Sequence, residues 1–240
     1  HEGNHGEDVK ECYYYLDSTP THSYTKALYK YPQAKYPYTA LREENQKIGL
    51  DGPELELSAF GVFDEGRYFD VVQEVAKRTA QDILWRISIT NNGPESAPIH
   101  VLPMVWFRNI WVWKNNRETP LTKPELRLKK NSLEIQHETL GNFRFYAESP
   151  NSKAKVSWLF TENETNEESI GWANNLTPYV RDAFHRYVVH EELDAVNPDL
   201  KGTKASPHFR FEIPAGKTVE VWCRLHKEGE DNGLDRFADF

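Results

Sequence analysis

Residues 83 to 113, ILWRISITNNGPESAPIHVLPMVWFRNIWVW, set two long apolar runs on either side of a polar break. In the first run Ile83, Trp85, Ile87 and Ile89 alternate with Leu84, Arg86, Ser88 and Thr90. A period of two places one apolar row on one face of a strand. The break, Asn91 to Pro98, is made of turn formers: Asn-Gly tolerates positive φ, and proline cannot join a ladder. In the second run Ile99, Val101, Val105 and Phe107 share one parity, and His100, Leu102, Met104 and Trp106 share the other. Both rows are apolar, so this strand reads as covered on both sides, as inside a sandwich. Pro103 marks a bulge or a local edge. The stretch as a whole predicts a long antiparallel hairpin that seeds a large all-β core.

The rest of the chain repeats the pattern. Strands are expected over 11–17, 23–31, 55–60, 68–78, 125–137, 142–148, 154–162, 209–213 and 218–225. Thr39 to Lys47 is the helix candidate, with Thr39 as N-cap and Gly49 after its end. Asp64-Glu65-Gly66 is a turn. Residues 163 to 208 differ: they are polar and weakly periodic, and only 184–190 looks locally ordered. Long excursions of this kind are functional or disordered. Trp172, Tyr179, Phe184 and Tyr187 argue for order, because disordered segments are poor in aromatics. The expected fold is all-β: one domain over 1–240, a large two-layer antiparallel β-(super)sandwich with one or two short helices and a long ordered excursion near 163–208.

Charge and cysteine content narrow the functional classes. The chain has 29 Lys and Arg against 37 Asp and Glu, a net charge of −8. That balance argues against a nucleic-acid partner, whose phosphates need clustered cations. No apolar run is long enough for a membrane-spanning helix, so no membrane partner is expected, and the chain is assigned to the cytoplasm. Cys12 and Cys223 are read as two buried thiols, with a single disulfide between them as the alternative; two cysteines make neither a disulfide framework nor a zinc set. Asn163-Glu164-Thr165 and Asn175-Leu176-Thr177 match the glycosylation sequon.

Several motifs bear on chemistry. His1-Glu2-Gly3-Asn4-His5 fits the H-E-x-x-H zinc pattern. That pattern works on a helix, and Gly3 and Gly6 are poor helix residues with no apolar face beside them, so the match is read as chance and no metal or cofactor is expected. A glycosidase needs two carboxyls about 5–5.5 Å or about 6.5–9.5 Å apart. Glu7, Asp8, Asp64 and Asp182 sit in suitably polar settings, although each also fits as a turn or solvated residue. His185 and His190 fall five apart in a segment read as extended or irregular. Trp111 and Trp113 share parity near a strand end, beside Arg108 and Asn109. Such aromatics stack on sugar rings, and Arg and Asn hydrogen-bond hydroxyls; they equally cover a core edge or dock a second domain.

The segments 2–34, 63–77, 91–113, 160–166, 169–190 and 195–206, taken in order, resemble the N-terminal region of bacterial glucosidase-like proteins related to glycoside hydrolase family 63, the processing α-glucosidase type. The resemblance implies a β-supersandwich domain followed by a linker and an (α/α)6 barrel that carries the catalytic acid and base. The barrel's helices are not in this sequence, so no catalytic residue carries over. What it implies instead is a set of docking or pocket-rim candidates: Asn4, His5, Glu7 and Asp8 in the first loop, Arg108, Asn109, Trp111 and Trp113 at the strand end, and Asp182 and His185 in the excursion. The implied partners are the barrel, as domain or subunit, and an oligosaccharide. Three functions remain open: a non-catalytic domain of a family 63-like hydrolase, inactive alone; a free-standing carbohydrate-binding module; or a structural interaction domain.

Overall fold

The computed structural model describes residues 11–112, 122–152, 154 and 156–229. Asn4, His5, Glu7, Asp8, Trp113 and the H-E-x-x-H match lie outside the described residues. The strands, in chain order, are β1 (Cys12–Ser18), β2 (Tyr24–Pro32), β3 (Tyr68–Thr79), β4 (Asp82–Asn91), β5 (Ala97–Val101), β6 (Val105–Trp106), β7 (Glu125–Lys129), β8 (Ser132–His137), β9 (Gly141–Glu148), β10 (Val156–Thr161), β11 (Lys201–Gly202), β12 (Lys204–Ile213) and β13 (Thr218–Lys227). Two α-helices, α1 (Tyr38–Ile48) and α2 (Ala183–Val189), complete the set with three short 3-10 turns. No helix among the described residues is long and apolar enough to cross a membrane.

The strands form two antiparallel sheets. The large sheet has nine strands in the order β1-β2-β3-β4-β13-β9-β8-β7-β11, and the small sheet has β10-β12-β5 with β6 also paired to β12. The fold is therefore the all-β sandwich that the alternation implies. Its core fills the space between the sheets: Phe69, Ile87, Ile89, Phe145, Val221 and Cys223 from one side, Ile99, Phe160, Phe209, Phe211 and Ile213 from the other. In β4 the odd-numbered row Ile87, Ile89 and Asn91 is buried, as a period of two requires.

The break at 92–96 does not make a hairpin. β4 pairs with β3 and β13, whereas β5 pairs with β12 in the other sheet. The two runs face each other across the core, so the turn carries the chain from layer to layer. β5 is not covered on both sides either: Ala97 and Ile99 are buried, whereas Pro98 and His100 are exposed. Pro103 does interrupt the strand, between β5 and β6. The register Val101↔Phe209 and Val105↔Ala205 sets Pro103 opposite Pro207, and neither can donate to the ladder.

Other expectations shift in detail. The helix begins after Pro37, not at a Thr39 cap, and ends at Gly49, whose φ of 68° suits glycine. Leu57–Phe60 is a 3-10 turn and not a strand; Leu57 is buried and Gly61, at φ 67°, reverses the chain. The 184–190 segment is helical, and β12 starts at Lys204, inside the stretch read as irregular. Cys223 is buried, but Cys12 is only half-buried, and neither is bonded to another sulfur.

Nine strands outreach four, so one margin of the large sheet overhangs the small one. Directly opposed residues of antiparallel strands share a face, which puts Tyr13, Tyr15, Ala27, Tyr29, Tyr31, Gln73, Val75 and Trp85 on the inner side. Tyr13 is 54% exposed and Tyr15 77% exposed, an aromatic face that the small sheet does not reach.

Candidate functional site

β12 is the pivot of the site. On one edge it pairs with β10, on the other with β5 and β6. Its start is fixed where the two sheets meet. Gly202 in β11 leaves no room for a side chain: a Cβ there would stand 2.2 Å from the Thr161 carbonyl oxygen. The Thr203 amide donates to that same oxygen (3.1 Å), and the Phe107 amide donates to the Thr203 carbonyl (3.2 Å). These contacts bring the 104–112 segment against the 161–182 segment.

Asn163 closes the join. It is 6% exposed. Its Nδ2 donates to the Phe107 carbonyl (2.8 Å), and its amide donates to Thr203 Oγ1 (2.8 Å). Its carbonyl accepts from Asn109 Nδ2 (3.2 Å) and Arg181 Nη2 (2.8 Å). The sequon at Asn163 is thus unavailable to a glycan in the folded chain. Asn175 is half-buried and donates its Nδ2 to Asn166 Oδ1 (2.9 Å).

Between the two segments lies a cleft of about 540 Å³, lined by Met104, Trp106, Arg108, Asn109, Val112, Asn163, Thr165, Arg181 and Lys204. The Trp106 side chain is 57% exposed, an indole face turned to solvent. Lys204 pairs across the ladder with Trp106. Its Nζ donates to the Arg181 carbonyl (2.9 Å) and lies over the Phe184 ring at 5.0 Å. Burial first, and then the Arg181 charge, lower the Lys204 ammonium to about 8, against the pull of Asp182. A second hollow shares Met104 and Trp106 with the cleft and is lined also by Val75 and Trp85, and two further hollows lie along Tyr29 and Gln73, one of them reaching Tyr13 and Tyr15 on the overhang.

The surrounding carboxylates have donors. Glu164 Oε1 accepts from Trp111 Nε1 (2.7 Å) and Lys123 Nζ (2.8 Å). Glu162 Oε2 accepts from Thr203 Oγ1 (2.7 Å) and lies 3.1 Å from Lys123 Nζ. Asp182 Oδ2 accepts from Asn166 Nδ2 (2.8 Å). Asn109 Oδ1, Glu164 Oε2 and Asp182 Oδ1 are buried with no partner among the described residues. Also among the described residues, no group of three or more His, Cys, Asp or Glu side chains is arranged to hold a metal.

The cleft is thus lined by Arg108 and Asn109 of the expected residues, whereas Asp182 follows the lining residue Arg181 in the chain and is not itself part of the lining. Trp111 is elsewhere in role. It sits in a turn past the end of β6, is half-buried, and donates its Nε1 to Glu164. His185 lies on α2, its ring edge-on to His190 at 5.1 Å. Trp106, Asn163, Arg181 and Lys204 were not among the candidates. Trp106 stood in the same aromatic stretch as Trp111, but only the end of β6 shows which indole faces water. Arg181 and Lys204 carried no local signal.

α2 covers the outer face of the small sheet, where Leu159, Val180, Ala183, Phe184 and Ala195 are buried apart from the main core. Under this cover His208 is fully buried, with Nε2 3.1 Å from His100 Nδ1 and its own Nδ1 unpartnered among the described residues. Burial, then His100 and Arg210, hold the His208 imidazole down to about 4. The unfolded chain protonates near 6.5. Stability from a neutral His208 is therefore fully present above about pH 6.5 and is lost as the pH falls toward about 4. Urea unfolding between pH 7.5 and 4.5 will show a fall of about 2 kcal/mol that His208→Gln lacks; parallel pH profiles for the two proteins would refute this assignment.

No family model matches the chain. The chain is 36% identical over 250 residues to an uncharacterized protein of Saccharomyces cerevisiae; the alignment takes in 92% of this chain and 23% of the yeast protein. The chain thus spans about a quarter of that relative's length. Among solved structures it is similar to a heparinase III (TM-score 0.35, 9% identity, 89% of this chain and 21% of the other). It is also similar to a putative aldose 1-epimerase from Escherichia coli (TM-score 0.37, 10% identity, 90% and 68%). Neither superposition is close enough to assign a shared site.

Proposed function

We propose that the chain is the non-catalytic β-sandwich part of a larger carbohydrate-active protein of the glycoside hydrolase family 63 kind, and that its cleft holds one end of a saccharide. Two features outside the cleft support this reading: the ordered resemblance along the sequence, and a relative about four times as long. The observation that carries it is the exposed Trp106 set beside Arg108, Asn109 and Arg181 in one cleft. A flat π-face binds the C–H side of a pyranose, and fixed donors beside it read the hydroxyls. The nearby carboxylates serve Trp111, Lys123, Thr203 and Asn166, a positioning use and not that of an acid–base pair.

The test is calorimetry on the pure chain with a panel of oligosaccharides, alongside an α-glucoside hydrolysis assay. Binding without turnover is expected. Trp106→Ala will weaken binding at least about tenfold, equivalent to about 1.4 kcal/mol, while circular dichroism stays unchanged. Equal affinity in Trp106→Ala, or turnover that Asp182→Asn abolishes, would sink the reading.

A further inference from the structure

We propose that His100 and His208 form an acid-operated latch for α2, and that a proton taken up by the pair releases the helix and loosens one wall of the cleft. The inference does not need the saccharide reading, because it concerns the wall and not what the wall holds.

The helix is short. Its seven residues are too few to be stable on intrinsic propensity, so α2 depends on what it packs against. Ala183 and Phe184 are its buried residues. One turn after Phe184, Tyr187 sets its ring edge-on to the His208 imidazole, with centroids 6.2 Å apart. His208 is fully buried under this cover, and its ring lies 4.9 Å from that of His100, which is exposed. Solvent thus reaches one member of the pair, and the 3.1 Å contact between His100 Nδ1 and His208 Nε2 gives a proton a path to the other.

A charged His208 does not fit this place. An imidazolium carries an N–H on both nitrogens. Nε2 keeps an acceptor only while His100 is neutral, and Nδ1 has no partner among the described residues. Each element packed around it adds to the difficulty or does nothing to offset it. β5 brings His100 and β12 brings Arg210, which shares the outward face with His208. β10 sets the neutral Ser157 opposite His208. On α2, Tyr187 presents its ring, Arg186 is paired with Glu192, and His185 lies against His190. Residues 153 and 155, just before β10 and outside the described set, are lysines. Burial first, and then His100 and Arg210, hold the imidazole down to about 4, against an ordinary value of 6.5. The closed state therefore has its full advantage above about pH 6.5 and loses it as the pH falls toward about 4, because in the open state the imidazole titrates at its ordinary value.

The same helix is joined to the cleft. Arg181, two residues before Ala183, lines it. Lys204, also in the lining, donates to the Arg181 carbonyl and lies over the Phe184 ring. Lifting α2 from the sheet uncovers His208, takes the Phe184 ring away from Lys204 and slackens the chain at Arg181. The main core is spared, because Phe160, Ala205, Phe209 and Phe211 point to the other face of β10 and β12.

Hydrogen exchange read by mass spectrometry on the pure chain decides the matter, at about pH 7 and about pH 4.5, with labelling times corrected for the intrinsic rate. Protection of residues 183–189 is expected to fall at least about tenfold at the lower pH. That exchange should not quicken in urea below the unfolding transition, the mark of a local opening, whereas exchange in β4 and β13 should. In His208→Gln the acid effect on α2 should shrink to less than about twofold. Unchanged protection of α2 in the wild-type chain at the lower pH would overturn the latch. So would α2 exchange that quickens in urea together with β4 and β13, since the helix would then leave only when the whole sandwich unfolds. A wild-type response in His208→Gln would place the proton elsewhere and overturn it too. Both wild-type outcomes stand even where the variant fails to fold.

Discussion

Asn91→Leu will lower the free energy of unfolding by about 3–5 kcal/mol, because one fully buried side chain ties both sheets to the crossings between them. Its Nδ2 donates to the carbonyls of Ile213 and Glu95, both at 2.7 Å. Its Oδ1 accepts from the Gly93 amide (2.8 Å) and from Gln33 Nε2 (2.7 Å). The Asn91 main chain bonds Lys217 and Gly216 across the second crossing. Leucine keeps the branched skeleton of asparagine but is bulkier, and it leaves buried donors and acceptors facing methyl groups, at about 1–3 kcal/mol for each orphan. The site has no slack to adjust: a Cβ on Gly93 would already stand 2.8 Å from Gln33 and 3.0 Å from Asn91. Urea unfolding followed by tryptophan fluorescence measures the change, and a loss under about 1 kcal/mol would show that the two crossings are held by something else.

Arg224→Met should cost a similar amount, about 3–5 kcal/mol, for an electrostatic reason. Arg224 grips Asp82 with two bonds, Nε to Oδ1 at 2.8 Å and Nη2 to Oδ2 at 2.9 Å. The side chains are 2% and 6% exposed. Removing the cation strands a carboxylate in the protein, with Arg78 at 4.0 Å as a remaining partner. The double variant Asp82→Leu with Arg224→Met should recover most of the loss, since taking out both charges removes the desolvation cost as well as the attraction. A double variant as unstable as the single one would mean that the pair contributes net stability and not merely mutual neutralisation. The pair joins β4 to β13, the fourth and fifth strands of the nine-stranded sheet, on the face away from the core.

The contrast between these two residues shows what was legible in the chain. Asn91 stood in a recognisable turn, and its position after an alternating run marked where a strand ends. That it holds two sheets together was not legible, because its partners Ile213 and Gln33 lie 122 and 58 residues away. The same limit turned the expected hairpin into a crossing. Alternation fixes which side chains share a face, but it carries no information on which strand lies alongside. Only the register of β5 against β12 placed the second run in the other sheet. The candidate cleft followed the same rule. Arg108 and Asn109, polar residues beside an aromatic run, line it, whereas Asp182 does not. Trp111 was chosen on parity, which holds only while a strand continues; β6 stops at Trp106, so the indole that meets water is five residues earlier.

By itself, then, the sequence determined the material of this protein: ribbons with one apolar face, aromatic enough to fill a gap between two layers, and an excursion too rich in rings to be left loose. Those properties are local, since they depend on the two-residue period of an extended backbone and on which side chains avoid water. The tertiary structure alone decided which layer each ribbon joined and that Trp106, Arg181 and Lys204 would share one hollow. Those outcomes depend on contacts between residues about a hundred positions apart, whose free energy is gained only when the whole core closes.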